Sequence, residues 1–536
     1  MRLLPPNTYA ADPALRSLLG AWLTPATREW AEPQLQQLGR LAAEELHLEG
    51  EMCDRQPPWL RAIDPWGERV DEVVYPEAWR RLGAVAARFG LAGLPYEEDS
   101  IRHAGAEARL VQAALCYLFE PQTATYLCPV SMTDAAARVL LDFGPEPLCR
   151  QFVPHLVSRD PEQAWTAGQW MTEQQGGSDV GANAVEARRE EGGWRLYGRK
   201  YFCSNVGGEL VLALARPEGA MPGTRGLGLF LVPRLLPGGG RNAYRVDRLK
   251  DKLGTRGMAT GEVTLEGARA EPVGDLGRGF AQMTPMLNIT RLHNAVASAA
   301  SLRRGLQLAL GYAATRRAFG RPLDQLPLQR QVLVEMAVRA EAALVLTMRL
   351  AALLGRLERG LAADEEKLLF RFGGSLVKLY TARLAVSGAS EALEAFGGAG
   401  YMEDTGIARL LRDAQVLTIW EGTTNVLSLD VMRTVARPGV AAAYLGELER
   451  LGSPRRAALE QRLDWLSKQD EDLRQRYART LAFEAAEAWV GGLLKDAAGR
   501  GSRETAIWEL WEASKQPAAH AELGADRFEL VVDRPA

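Results

Sequence analysis

The distribution of glycine along the chain constrains the fold more than any other feature of the sequence. Residues 161–280 hold 23 of the 53 glycines in less than a quarter of the 536 residues. Short runs rich in β-forming residues alternate there with turn signals, at 194–197, 200–204, 210–215, 227–232 and 262–265. Strands this short and closely spaced predict an antiparallel sheet or barrel rather than β-α-β units, which need a helix between successive strands.

Helical patterns flank this β segment on both sides. Upstream, apolar residues recur at helical spacing, and downstream four segments carry few helix breakers, at 291–315, 325–359, 364–395 and 404–418. Arg437-Pro438-Gly439 marks a boundary, after which apolar residues at 459–477 again follow helical spacing. The sequence predicts an α+β chain with an N-terminal helical domain (1–160), a central antiparallel β domain (161–278), a helical bundle (279–437) and a helical extension (438–536).

Composition and missing motifs exclude several classes of protein. With 64 Lys and Arg against 67 Asp and Glu, the net charge is -3, so no global basic excess indicates nucleic acid. Five scattered cysteines without a C-x-x-C pair predict reduced thiols in a cytoplasm, and five scattered histidines give no reason to expect a metal. Neither an apolar secretory signal nor an uncharged run of about 18 apolar residues occurs, so no membrane association is expected. No P-loop or dinucleotide-binding glycine fingerprint is present.

Residues 171–181 read Met-Thr-Glu-Gln-Gln-Gly-Gly-Ser-Asp-Val-Gly. A turn of this composition offers hydroxyls and backbone N–H groups that can donate to an anion or to the edge of a heteroaromatic ring. From the residue types alone, an ordinary polar loop is the more economical interpretation.

Six motifs occur in a fixed order across residues 171–425. They are Thr172-Glu173 with Gly177-Ser178-Asp179, Lys200-Tyr201-Phe202-Cys203-Ser204-Asn205, Lys252-Leu253-Gly254-Thr255-Arg256, Tyr312 with Arg316 and Phe319-Gly320, Gly397-Gly398-Ala399-Gly400-Tyr401, and Arg412-Asp413 with Trp420-Glu421-Gly422-Thr423. Each motif is weak alone, but together they resemble the signatures of the acyl-CoA dehydrogenase family. Glu97-Glu98-Asp99, the stretch 127–133, the stretch 241–254 and the extension after Arg437 are similar to the family's AidB branch, named for an alkylation-response protein.

The resemblance implies an acyl-CoA dehydrogenase-like fold that binds FAD non-covalently at a subunit interface of a homotetramer. In the family, the 171–180 loop and the 202–204 strand contact the flavin, with a hydroxyl such as that of Ser204 near N5, and an arginine matching Arg316 meets the pyrophosphate. Without the resemblance, Arg316 is interpreted as a solvated helix residue and Gly397-Gly398 as a helix C-cap. The implied cofactor-binding residues are Met171, Thr172, Gly177, Ser178, Phe202, Cys203, Ser204, Arg316, Phe319, Gly397, Gly398, Trp420, Thr423 and Asn425.

Glu421 matches the base that removes the α-proton of an acyl thioester while the β-hydrogen leaves as hydride. Some branches of the family place the base before the arginine that matches Arg291, but Thr290 stands there and cannot serve. The alternative for Glu421 is a structural carboxylate at a helix N-terminus. Trp420 replaces the family's smaller tyrosine, and its indole would narrow an acyl channel.

Two functions follow from the resemblance. The first is an FAD-dependent dehydrogenase that oxidises an acyl-CoA or similar thioester at Cα–Cβ. The second is a DNA-associated protein of the alkylation-damage response that keeps FAD with weak dehydrogenase activity. From Arg437 to residue 536 the chain carries 15 Lys and Arg against 17 Asp and Glu, so only a segregated face could attract duplex DNA weakly and without sequence preference. The candidate contacts are Arg433, Arg455, Arg456 and Arg462.

Overall fold

The computed structural model describes residues 3–515 and 527–532. The α-helices in chain order are α1 (Pro13–Trp22), α2 (Pro25–Leu41), α3 (His47–Arg55), α4 (Glu77–Arg88), α5 (Glu98–Ala104), α6 (Ala108–Phe119), α7 (Leu127–Phe143), α8 (Glu146–Leu156), α9 (Gly279–Gln282), α10 (Thr284–Thr315), α11 (Pro327–Glu358), α12 (Asp364–Ala395), α13 (Ile407–Leu417), α14 (Thr424–Val435), α15 (Val440–Arg450), α16 (Arg456–Ser467), α17 (Glu471–Ala498), α18 (Ser502–Ala513) and α19 (Phe528–Val531). The strands are β1 (Trp59–Ile63), β2 (Arg69–Val74), β3 (Ala167–Trp170), β4 (Glu186–Glu190), β5 (Gly193–Ser204), β6 (Leu210–Pro217), β7 (Gly228–Pro233), β8 (Tyr244–Leu249), β9 (Thr260–Pro272), β10 (Arg317–Ala318) and β11 (Arg321–Pro322).

The chain forms two compact units that interleave along the sequence. The helical unit comprises Met1–Glu45, Asp99–Pro121 and Asn294–Ala536, and the β unit comprises Leu46–Glu98 and Gln122–His293. The predicted α+β class is confirmed. The division into four consecutive domains stays a prediction, since each of the two compact units combines segments that are distant in sequence.

The β unit is built around a seven-stranded sheet whose middle closes on itself. Strands β4, β5, β9, β7 and β6 pair in a ring, while β3 extends it at β6 and β8 at β9. Most pairs are antiparallel as predicted, but β6 pairs in parallel with both β3 and β4. Alternate residues of these strands point inward and fill the core with Val, Leu, Ala and aromatic side chains, among them Trp170 and Phe230.

One strand pair lies within residues 1–160, which were predicted to be mostly helical. β1 and β2 form an antiparallel hairpin around the turn at Asp64–Gly67. Asp71 in β2 is 4% exposed and pairs with Arg69 and Arg241. The signal was a pair of β-rich runs separated by Asp-Pro-Trp-Gly, which the surrounding helical pattern obscured.

The helical unit is organised by long, buried helices. α11 and α12 each run 32 residues, and Glu366 in the first turn of α12 accepts from the Ala363 N–H and caps that helix. The extension packs on this bundle inside the same unit: Trp489 of α17 lies against Gly373 of α12, where an added Cβ would come within 3.1 Å. Asp470 caps α17 and divides the predicted helical pattern of residues 459–477 between α16 and α17.

Candidate active site

A buried ion pair anchors the glycine-rich loop that follows β3. Glu173 and Lys200 are 3% and 1% exposed, and their Oε1 and Nζ atoms lie 2.7 Å apart. Glu173 also accepts from the backbone N–H groups of Ala184 and Val185, at 2.7 and 3.2 Å. One carboxylate therefore joins the start of the loop, its end and the middle of β5.

The charge state of Glu173 follows from these contacts. Burial by itself disfavours the ionised carboxyl, but Lys200 and the donated hydrogen bonds outweigh it and hold the pKa of Glu173 below its ordinary value. Glu173 is ionised at neutral pH and its lone pairs are used inside the loop. It is a structural anchor, which the motif at 172–179 did not reveal.

The anchored loop leaves its hydroxyl groups available. Ser178 is exposed and Thr172 half-buried, and the Thr172 carbonyl accepts from the Tyr201 N–H at 3.0 Å. Gly177 lies so close to Thr172 that an added Cβ would come within 2.6 Å of the threonine Oγ1. Met171 is also half-buried, and its carbonyl accepts from the Asn183 side chain at 2.8 Å.

The next three candidate residues, Phe202, Cys203 and Ser204, lie at a register shift in β5 and differ in exposure. The shift lies between Lys200 and Cys203. Phe202 is 53% exposed, whereas the Cys203 side chain is fully buried in the core, where burial raises its pKa. Cys203 can reach a bound molecule only through its backbone, and Ser204 is half-buried at the end of the strand.

A lysine that sequence reasoning missed lies beside Phe202. The Lys250 Nζ is 3.4 Å from the ring centre of Tyr201 and 4.5 Å from that of Phe202. It also pairs with Glu262 at 2.7 Å. The exposed phenyl ring therefore belongs to a fixed cation–aromatic cluster rather than to a flexible surface side chain.

Glu421 lies in a tight turn between α13 and α14. Its φ is +56° and that of Gly422 is +109°, so two successive residues have left-handed backbone geometry. At Gly422 an added Cβ would come within 2.7 Å of Leu427. Positive φ at a non-glycine residue costs about 1–3 kcal/mol and persists where the surroundings enforce it.

Two hydrogen bonds fix this turn. The fully buried Lys378 of α12 donates from Nζ to the Gly422 carbonyl at 2.7 Å. Trp420 donates from its indole Nε1 to Oδ1 of Asn294 on α10. Glu421 itself is half-buried. Neither partner was predicted. Lys378 did carry a signal, as a lone charged residue in the apolar stretch 376–380, whereas Asn294 stands beside His293 and carried none.

The other candidates of the helical unit are largely exposed. Arg316 follows α10, and Phe319, at the tip of the β10–β11 hairpin, is 93% exposed with a φ of +50°. Gly397 and Gly398 are exposed, and an added Cβ at either would meet no atom within 4 Å. Thr423 is the N-cap residue of α14, and the exposed Asn425 accepts from Arg479 at 3.3 Å.

The structure places the candidate DNA contacts in ion pairs. Arg455 pairs with Glu512 at 2.6 Å, Arg456 with Glu460 at 2.9 Å and Arg462 with Glu484 at 3.1 Å. Arg433 is the most exposed of the four, with Asp430 at 3.9 Å. The extension therefore does not gather these arginines into an uncompensated basic face.

Across residues 3–515 and 527–532, no group of three or more His, Cys, Asp and Glu is arranged to hold a metal ion. Over the same residues, no helix combines the length and apolarity needed to cross a bilayer.

The chain is similar to known proteins over its whole length. Residues 2–163 match the adaptive response protein AidB N-terminal domain, 168–268 the acyl-CoA dehydrogenase middle domain and 277–436 the acyl-CoA dehydrogenase C-terminal domain. Acyl-CoA dehydrogenase family member 11 of Caenorhabditis elegans is 37% identical, over 97% of this chain and 92% of its own length. The putative acyl-CoA dehydrogenase AidB of Escherichia coli K12 is 36% identical, over 82% of this chain and 80% of its own.

Solved structures agree. The crystal structure of C. elegans ACDH-11 in complex with C11-CoA superposes with a TM-score of 0.88 at 35% identity, covering 100% of this chain and 93% of that one. The chain therefore belongs to the acyl-CoA dehydrogenase family, with the N-terminal domain of its AidB-related members, and is an oxidoreductase of the type that acts on CH–CH donors.

Proposed function

We propose that this protein is an FAD-dependent acyl-CoA dehydrogenase in which Glu421 removes the α-proton of an acyl thioester. The observation that carries the proposal is the turn that holds Glu421. A carboxylate on a left-handed backbone, fixed by a buried lysine behind it and an indole hydrogen bond beside it, is costly to build and fits a positioned base.

The residues present fit FAD in their chemistry. Thr172, Ser178 and Ser204 offer hydroxyl donors for the polar edge of a flavin, and the exposed Arg316 offers a guanidinium suited to a pyrophosphate. At Gly397 and Gly398 the backbone is open to close approach. We therefore assign these residues to the cofactor together with Met171, Gly177, the backbone of Cys203, Phe202, Phe319, Trp420, Thr423 and Asn425.

The chain's own part in the reaction is proton removal and orientation. The Glu421 carboxylate accepts the proton from Cα, the C–H electron pair forms the Cα=Cβ bond, and the hydrogen on Cβ leaves with its electron pair. When bound, FAD supplies the acceptor for that hydride. Lys378 and Asn294 hold the turn so that the carboxylate does not rotate away between turnovers.

The substrate class and the assembly follow the relatives. The ACDH-11 structure holds C11-CoA, which supports an acyl-CoA substrate here. We infer a homotetramer, since Phe319 at the tip of the β10–β11 hairpin is nearly fully exposed and the exposed Arg316 directly precedes that hairpin. An aromatic ring left in solvent is a candidate for burial against another subunit. None of the five cysteines, all within the described residues, forms a disulfide, in keeping with the cytoplasmic location we propose.

The first expected result is that the purified protein is yellow and releases FAD, not FMN, on denaturation. An anaerobic panel of acyl-CoA thioesters should then bleach the visible flavin band for at least one chain length. Extraction and chromatography identify the cofactor, and absorbance follows the reduction. FMN, or no flavin after reconstitution, would contradict the cofactor assignment; bound FAD that no acyl-CoA reduces would contradict the activity.

For DNA, we expect binding that is weak, indifferent to sequence and lost at moderate salt. Three of the four candidate arginines already pair with carboxylates, so few are available for phosphates. Since log K falls with log salt by about 0.9 per phosphate neutralised, a few contacts give a shallow slope. Salt titrations with two unrelated duplexes, with and without Arg433→Glu, measure it. Tight, salt-resistant binding to one duplex would favour the DNA-associated function.

A further inference from the structure

The indole of Trp420 determines which way the Asn294 amide faces. An indole N–H can only donate, so the amide must present its carbonyl oxygen to Trp420. The hydrogen bond from Trp420 Nε1 to Asn294 Oδ1 has this polarity. The amide nitrogen, Nδ2, is thereby held on the other side, where it can only donate.

That nitrogen is buried without an acceptor. Asn294 is 4% exposed, and within the described part of the chain its Nδ2 finds no hydrogen-bond partner. Nine in ten or more buried polar groups in proteins are hydrogen-bonded, and leaving one unmet costs about 1–3 kcal/mol. This oriented, unmet donor belongs to a side chain that is hydrogen-bonded to Trp420, the residue before the proposed base. It is therefore expected to meet an acceptor that arrives with a ligand.

We propose that Asn294 is a substrate-binding residue whose Nδ2 donates a hydrogen bond to a neutral oxygen of the acyl substrate. The inference rests on the proposed function, because it takes the ligand beside Glu421 to be an acyl thioester. Two oxygens have the required chemistry, the thioester carbonyl and an oxygen carried within the acyl chain. Trp420 is then a positioning residue for this contact, in addition to any steric effect of its ring.

The surrounding chain offers a matched control. Ser298 lies one turn further along α10, is fully buried, and donates from Oγ to the backbone carbonyl of Asn294 at 2.7 Å. Ser298→Ala removes a buried polar group from the same helix and from contact with the same residue. It leaves the Asn294 amide in place, so it reports the purely structural consequence of such a change.

The test compares ligand affinities in the holoprotein by calorimetry and by perturbation of the flavin spectrum. Three probes are used: a straight-chain acyl-CoA, the S-alkyl-CoA of equal length that lacks the carbonyl, and acyl-CoA analogues with an ether oxygen at successive chain positions. Asn294→Leu keeps the volume and removes the donor. We expect Asn294→Leu to lower the affinity for the probe whose oxygen accepts from Asn294 by about tenfold, the effect of losing one buried hydrogen bond. Ser298→Ala should leave the affinities for all probes unchanged.

The pattern of losses identifies the acceptor. Weaker binding of every probe that carries the carbonyl, with the S-alkyl-CoA unaffected, assigns the thioester oxygen. A loss confined to one ether position assigns a chain oxygen. If Asn294→Leu does not fold, Trp420→Phe serves instead, since it frees the amide to rotate and should erode the same preference. Equal affinities of the wild type and the variant for all probes overturn the inference, because a water then satisfies the donor.

Failure of this inference can be told apart from failure of the proposed function. If the function is wrong, the wild type itself holds no FAD or is reduced by no acyl-CoA. If only the inference is wrong, acyl-CoA reduces the wild type normally, and Asn294→Leu binds all three probes with the affinity of the wild type.

Discussion

Glu421→Gln is expected to retain FAD and to lose substrate-driven flavin reduction by about 10²–10⁴-fold. Glutamine keeps the shape of the side chain and can hydrogen-bond but cannot accept the α-proton. Thr290, which occupies the alternative base position, is buried and donates to the Met286 carbonyl at 3.0 Å, so it offers no replacement. Anaerobic stopped-flow absorbance with a substrate that the wild type uses measures the rate.

The control is Glu394→Gln, an exposed carboxylate in the same helical unit, which should reduce at the wild-type rate. A third variant separates catalysis from strain. Glu421→Gly removes the side chain from a position with a φ of +56° and should raise the thermal midpoint while abolishing reduction. Wild-type reduction by Glu421→Gln would show that another group is the base.

Lys200→Met is expected to destabilise the β unit by about 3–5 kcal/mol. The substitution leaves the Glu173 carboxylate buried and charged without its partner at 2.7 Å. The double variant Lys200→Met/Glu173→Gln should recover most of the loss, because neither charge is then buried. Urea unfolding with proteolysis of the 171–184 loop gives the measurement.

The matched control is Arg188→Met, which breaks a solvent-exposed pair with Glu186 in the same sheet and should leave the stability close to that of the wild type. The fall of folding stability at acidic pH gives a second readout. Because the pKa of Glu173 is lower in the folded protein than in the unfolded chain, its stabilisation is complete above the ordinary carboxyl pKa and is lost as the pH falls through the lower folded value. Glu173→Gln should remove that acid-dependent part. If Lys200→Met were as stable as the wild type, the anchoring role of the Glu173–Lys200 pair would be contradicted.

Local pattern was enough to predict much of this chain. α11, α12 and α13 begin and end within three residues of the predicted segments, because helical periodicity and breakers are properties of neighbouring residues. The start of α10 was predicted wrongly, since the helix begins at Thr284, seven residues before the predicted 291. The β-rich runs became β5, β6, β7 and β9 for the same reason. The order of six motifs was sufficient to identify the family, which the relatives confirm.

What the sequence by itself determined, then, is the order and type of the elements, the family, and which residues are candidates. Only the tertiary structure decided how those candidates are presented. The shift in β5 exposes Phe202 and buries Cys203, and carboxylates distant in sequence neutralise Arg455 and Arg462. The contact between Trp420 and Asn294 spans 126 positions and that between Lys378 and Gly422 spans 44. Such pairings depend on how helices pack, and no periodicity within either segment encodes them.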